Sequence, residues 1–162
     1  MIKKIAIFTA ARSEYGLLKS VIRKLDKRFN VSLLVGGEHF STTKGFTFND
    51  ILEDAIIQRE KIIEVDFFIE GNSPKILIQM VAKGQKMFTE IFEEQKFEGI
   101  LLLGDRFELF AITVPAMIFG IPVFHLNGGE ITEGAIDDNI RHATTKMAHL
   151  HFVANDIYAK NV

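Results

Sequence analysis

At 162 residues the chain has room for one domain with a full core, and its apolar share of 48% is that of an ordinary globular protein. Nineteen basic and 21 acidic residues leave a formal charge of -2, so no long-range field favours nucleic acid or an anionic membrane, and any anion must be recognised locally. Cysteine is absent, which excludes disulfide frameworks, thiolate zinc sites and cysteine nucleophiles and fits a reducing, cytoplasmic setting.

In chain order, Met1-Ile2-Lys3-Lys4 could front a signal peptide, but the apolar run behind it is short and is broken by Arg12 and Glu14. We therefore read Ile2–Thr9 as a buried strand. Further strands are predicted at Val31–Val35, Ile62–Phe67, Ile100–Leu103, Pro122–His125 and His151–Ala154. Helical spacing covers Tyr15–Arg28, Pro74–Gln95, Phe107–Phe119 and Ile136–Ala148. Ser73 before Pro74 makes a capped helix start, and Gly120 stands where a helix end needs a left-handed residue. Gly36–Asn49 reads as a long loop before a short helix. Residues 155–160 begin a helical turn. No stretch has the length of a membrane span. Strands alternating with helices predict βαβ units, hence an α/β, Rossmann-like parallel sheet with helices on both faces, formed by residues 1–162 as a single domain.

In such a sheet ligands gather beyond the carboxyl ends of the strands. The residues found there are Ala10 to Glu14, Gly36 to His39, Gly104-Asp105-Arg106, and His125 to Glu130. Exposure alone would also make these loops polar. The first loop lacks a Gly-x-Gly-x-x-Gly fingerprint, so no dinucleotide and no hydride chemistry are expected, and no cofactor is predicted. Arg12 could reach a phosphate or carboxylate, while Ser13 is expected to cap the helix starting near Tyr15. Asp105 is placed at a strand tip near a helix start, where it is either an N-cap or a functional carboxylate. Arg106 could pair with Glu108, with Glu130 or with a ligand phosphate. At His125-Leu126-Asn127-Gly128-Gly129-Glu130 an imidazole is followed by two glycines that would let backbone approach a ligand. Asp137 and Asp138 open the next helix, and Arg141, four residues after Asp137, shares its face, as in an ordinary surface pair. His142, His149 and His151 match no zinc spacing, so no metal is predicted.

Taken together, three segments resemble the hydrolysing branch of the UDP-N-acetylglucosamine 2-epimerase family. They are Thr9 to Gly16, Gly104-Asp105-Arg106-Phe107-Glu108, and the long ungapped run from His125 through Glu130 and Asp137-Asp138-Asn139-Ile140-Arg141-His142 to Phe152. The resemblance spans essentially the whole chain and about the first half of a member. It implies the N-terminal half of a glycosyltransferase-B-like two-domain enzyme, with a nucleotide-holding C-terminal domain following in cis. It also implies a UDP-sugar substrate and a homo-oligomer acting in the cytoplasm without nucleic acid or membrane. The implied reaction removes the C2 proton of UDP-N-acetylglucosamine, or of a diacetamido relative, as UDP leaves C1. Water then adds to the glycal and releases the 2-epimeric sugar for nonulosonic acid synthesis. Asp105 and Asp137 take the catalytic positions and Glu130 is a further candidate. Arg12, Arg106, His125, Asn127, Arg141 and His142 are the implied substrate-binding residues. Asn127 departs from the pattern, since several members carry a catalytic glutamate there and an amide cannot exchange a proton. Two other readings stand beside the epimerase: a glycosyltransferase N-terminal domain, and a non-catalytic sugar-binding or dimerisation domain. Residues 1–162 alone are expected to be inactive.

Overall fold

The structure is a computed structural model and describes residues 2–133 and 136–162; Met1, and Gly134 and Ala135 of the long run, lie outside it. Six strands alternate with helices: β1 (Lys4–Thr9), α1 (Arg12–Leu25), β2 (Asn30–Gly36), α2 (Phe48–Asp54), β3 (Ile62–Val65), α3 (Pro74–Glu94), β4 (Ile100–Leu103), α4 (Leu109–Ile118), β5 (Val123–Leu126), α5 (Ile136–Met147), β6 (Leu150–Phe152) and α6 (Asp156–Ala159). Every strand pairing is parallel and the order is β3-β2-β1-β4-β5-β6.

The two-residue period of a strand divides the apolar side chains between two cores. Ile5, Ile7, Leu101 and Leu103 face one side with Tyr15, Leu18 and Ile22 of α1 and Phe48 and Ile51 of α2. Ala6, Phe8, Ile100 and Leu102 face the other, against Met80, Phe88 and Phe92 of α3 and Ala111, Ile112 and Ala116 of α4. This is why β1 and β4 read as unbroken apolar runs. Phe88 is fully buried at the centre of the second core, edge-on to Phe8 and tilted against Phe67 and Phe92. At Gly84, a Cβ would fall 2.7 Å from that of Ala111, so glycine is what allows α3 and α4 to lie so close.

The six predicted strands and four long helices are present, and the short helix follows the long loop as α2. Boundaries move where local chemistry overrides apolar spacing. The α1 helix begins at Arg12, three residues before the predicted start, and its N-cap is Ala11 rather than Ser13. The carboxylate of Glu14 closes that end instead, accepting from the backbone N–H groups of Ala10 (2.8 Å) and Ala11 (3.2 Å). Ser73 caps α3 as expected, accepting from the Ile76 N–H, and Gly120 after α4 is left-handed with φ of 67°.

Truncating Phe88 to alanine should lower stability by about 3–5 kcal/mol, because the aromatic cluster around it cannot collapse into the gap. Denaturant unfolding followed by circular dichroism checks this.

Candidate functional site

The strand order reverses between β1 and β4, so the loops after these two strands diverge to opposite faces and leave a crevice at the carboxyl edge. Two charged clusters occupy that edge.

The first is built around Arg141 of α5, whose side chain is only 6% exposed. One terminal nitrogen, Nη2, pairs with the Asp105 carboxylate at the tip of β4. The other, Nη1, donates to the Glu130 carbonyl (2.9 Å) and to the Thr132 hydroxyl (3.0 Å), and lies 3.6 Å from Asp138. Asp138 in turn accepts from the Thr132 backbone N–H at 2.8 Å. One guanidinium thus ties the β4 tip to the loop that leads into α5. The expected Asp137–Arg141 pair does not form; Asp138, one turn of helix away at i, i+3, takes that place. Asp137 is half-buried and makes no side-chain hydrogen bond or ion pair among the described residues. Asp105 is not an N-cap, because α4 starts only at Leu109 with Glu108 before it.

The second cluster gathers three carboxylates about Arg106. Its guanidinium donates to both oxygens of Glu108 (3.2 and 2.6 Å) and lies 3.1 Å from Glu38. Of the alternatives open to Arg106, Glu108 is its partner and Glu130 is not. Burial alone would pull the Arg106 pKa down, but Glu108, Glu38 and Glu14 together hold it raised. Burial also pushes Glu108 up against the pull of Arg106. Glu38 is held low, the burial penalty being outweighed by Lys44 and Arg106. Glu14 is pushed up to about 7 by burial, despite its two backbone donors and nearby Arg106. Behind these groups, His39 is fully buried between the hydroxyls of Thr9 (3.0 Å) and Thr47 (2.8 Å), and burial followed by the field of Arg106 brings it down to about 4. It is therefore a neutral imidazole.

His125 is also fully buried. Its Nε2 donates to the Gly104 carbonyl at 2.7 Å, so Nδ1 is the acceptor, with the Thr145 hydroxyl 3.4 Å away. Burial, only partly offset by that carbonyl, lowers its pKa, and the neutral ring fixes the peptide immediately before Asp105. The Gly128-Gly129 turn faces the end of the chain rather than open space. A Cβ on Gly129, at φ of 79°, would fall 2.2 Å from the Tyr158 carbonyl, and Asn161 donates to the Gly129 carbonyl at 2.8 Å. Asn127 has left-handed backbone, φ of 62°, which asparagine tolerates better than most residues. His142 is half-exposed and 3.6 Å from Asp138. Arg12 is 78% exposed and 3.6 Å from Asp50, at the mouth of a cavity of about 360 Å³ between α1 and α2 that Tyr15, Lys19 and His39 also line.

Sequence reasoning thus placed Asp105 on this edge and named Arg141 through the family resemblance, but missed that the two touch. It offered Glu108 to Arg106 and set Asp138 at a helix start, but assigned no role to Glu14, Glu38, His39 or Thr132. The available signal was Glu14 four residues after Ala10, the spacing of a carboxylate folded back on a helix start.

Glu14 holds a proton in the folded state that it loses in the unfolded chain above the ordinary glutamate range. Its contribution to stability is therefore full below about pH 4.5 and declines as pH rises to about 7. Replacing it by glutamine keeps an acceptor for Ala10 and Ala11 and should flatten that decline, so Glu14→Gln gains most relative to wild type at pH 8 and least at pH 4.5. Urea midpoints across this range test it; parallel curves for the two proteins would remove Glu14 from the pH dependence.

The chain is similar to known proteins over nearly its whole length. The sequence pattern of the family described as UDP-N-acetylglucosamine 2-epimerase matches residues 23–162. A GDP/UDP-N,N'-diacetylbacillosamine 2-epimerase (hydrolyzing) from Campylobacter jejuni is 35% identical over 99% of this chain and 41% of its own length. A UDP-N,N'-diacetylbacillosamine 2-epimerase (hydrolyzing) from Legionella pneumophila is 37% identical over 96% of this chain and 41% of its own. The crystal structure of UDP-GlcNAc 2-epimerase from Neisseria meningitidis bound to UDP-GlcNAc superposes with a TM-score of 0.81 at 20% identity, over 99% of this chain and 42% of that one. The chain spans about two-fifths of the length of the curated relatives it matches. With six parallel strands in the same arrangement and a sequence match over most of its length, the chain belongs to the UDP-N-acetylglucosamine 2-epimerase family.

Proposed function

We propose that the full-length protein performs hydrolysing 2-epimerisation of UDP-N-acetylglucosamine or of an N,N'-diacetylated UDP-sugar, releasing UDP and the free 2-epimeric sugar. The observation that carries this reading is the Asp105–Arg141 pair at the reversal of strand order, where a ligand crevice is expected. The chemistry has two needs: a base for the weakly acidic C2–H and electrostatic support for the departing UDP oxygen. Asp105 is partly exposed and held in one orientation by Arg141 and by the His125–Gly104 clamp, which suits a group that must meet one proton. Asp137, with no side-chain partner among the described residues, supplies the second carboxylate. Glu130, in the loop pinned by Arg141, is the nearest carboxylate in sequence to Asn127 and takes the duty that asparagine cannot.

In this reading Arg12, exposed at its cavity mouth, is available to the diphosphate, and Arg141 and His142 flank the sugar. Arg106 is paired through Nε and Nη2 with Glu108 and Glu38, and acts on substrate through Glu38 and the β4–α4 turn. His125 likewise acts as a positioning residue. The protein would act in the cytoplasm as a homo-oligomer and supply an N-acetylated sugar to nonulosonic acid synthesis. Among the described residues no helix is long and apolar enough to cross a membrane.

Incubated with UDP-N-acetylglucosamine in heavy water, the full-length protein should yield UDP and a free sugar whose C2 position carries deuterium, as seen by proton NMR. Persistence of the C2 proton signal with no UDP, beside an active control enzyme, would falsify the proposal and favour a sugar-binding role. Asp105→Asn should lower turnover by about a hundredfold or more while leaving the circular dichroism spectrum unchanged. Undiminished turnover would take Asp105 out of the chemistry.

A further inference from the structure

A second cavity, of about 380 Å³, opens on the carboxyl edge of the sheet on the α3 side, and neither charged cluster fills it. Its floor is apolar: Met80 is buried, and Phe68, Leu77 and Phe107 are half-buried, packed against the core at their rear. Its rim is polar and already ordered. Glu70 accepts from the Thr43 hydroxyl at 2.7 Å, and Lys44 pairs with Glu38, the same glutamate that faces Arg106. Phe107 stands two residues after Asp105 on the β4–α4 turn, so this cavity shares a wall with the catalytic edge.

The volume is at the small end of ligand sites, suited to one substituted sugar ring and too small for a whole nucleotide sugar. The chemistry of the walls narrows the occupant. An acetamido group offers a methyl, one N–H donor and one carbonyl acceptor. The cavity offers an apolar floor, a carboxylate with free lone pairs at Glu70 and an ammonium with spare donors at Lys44. A bare hydroxyl would leave the floor of Phe68, Leu77, Met80 and Phe107 unfilled. A phosphate would meet Glu38 and Glu70.

Resting on the epimerase reading above, we propose that this cavity is the specificity pocket for the second acetamido group of an N,N'-diacetylated UDP-sugar. Methyl burial supplies the affinity, and Glu70 and Lys44 orient the amide. A polar pocket built for an amide rejects a substrate lacking it more strongly than an apolar pocket rejects a missing methylene.

The test compares kcat/KM of the full-length protein for a UDP-N,N'-diacetylated sugar and for UDP-N-acetylglucosamine. Leu77→Trp, on the first turns of α3, fills the cavity from its apolar side, and Glu70→Gln alters only the rim. Both variants are first matched to wild type by thermal melting. The expected result is that the ratio of the two kcat/KM values, diacetylated over monoacetylated, falls about tenfold in Leu77→Trp and in the same direction in Glu70→Gln. A ratio that stays within about a factor of two in both, with turnover intact, overturns the pocket assignment and leaves the epimerase reading standing. Turnover of neither sugar by the wild-type protein overturns both. Should Leu77→Trp melt early, Glu70→Gln at the exposed rim decides by the same ratio.

Discussion

The reversal of strand order between β1 and β4 is the constraint from which the rest of the molecule follows. Because α1 and α2 lie on one face and α3 and α4 on the other, the loops leaving β1 and β4 part company at that point. Strand ends there cannot be closed over by their own connections, and polar side chains from four loops converge without burying backbone. Glu14, Glu38, Arg106, Glu108, Asp105 and Arg141 are all products of that geometry, although they come from segments up to 127 positions apart in a chain of 162.

Converging charges at the edge of a dry core is costly, and each cluster meets the cost differently. Around Arg141 the guanidinium is nearly saturated: two carboxylates, a carbonyl and a hydroxyl surround it, so its burial leaves little unpaired apart from Nε. Around Arg106 three glutamates face two cations, Arg106 itself and Lys44 on Glu38, and burial favours a proton on Glu14. The imidazoles behind both clusters stay neutral for the same reason, since a charge there would be both desolvated and repelled by an arginine. The outcome is a largely self-paired edge on which Asp105, Asp137, Glu130 and Arg12 are partly or fully open to solvent.

Much of this was legible in the sequence, and the reasons for the remainder are specific. Buried parallel strands announce themselves because both of their faces must be apolar, so β1, β4 and β5 could be located within a residue or two. Local signals such as Ser73-Pro74 and Gly120 act through the adjacent backbone and read correctly. The start of α1 was misplaced because a serine looks like a cap, whereas a glutamate reaching back performs the task without leaving the helix. Asp138 was passed over in favour of Asp137 because i, i+4 pairing assumes that the arginine extends along its own helix; Arg141 instead points across to β4, which brings the i+3 neighbour nearer. The glycines at 128 and 129 suggested ligand approach, yet Gly128 lies against His125 and Thr145 and Gly129 against Tyr158. Contacts between remote segments leave no local imprint, which is why Glu38 and Glu14 joined Arg106 and Glu108 only in three dimensions.

Arg141 carries a consequence for how such a protein can change over generations. Four separate duties rest on one side chain: it holds Asp105, steadies the Glu130 backbone, anchors Thr132 and faces Asp138. Positions joined in this way do not vary independently, because relaxing one leaves the others to absorb a stranded charge. The β4 tip, the loop before α5 and the first turns of α5 therefore form a single heritable unit. Variation in substrate preference has to enter through walls that Arg141 does not touch, such as the loop after β3 and the opening of α3.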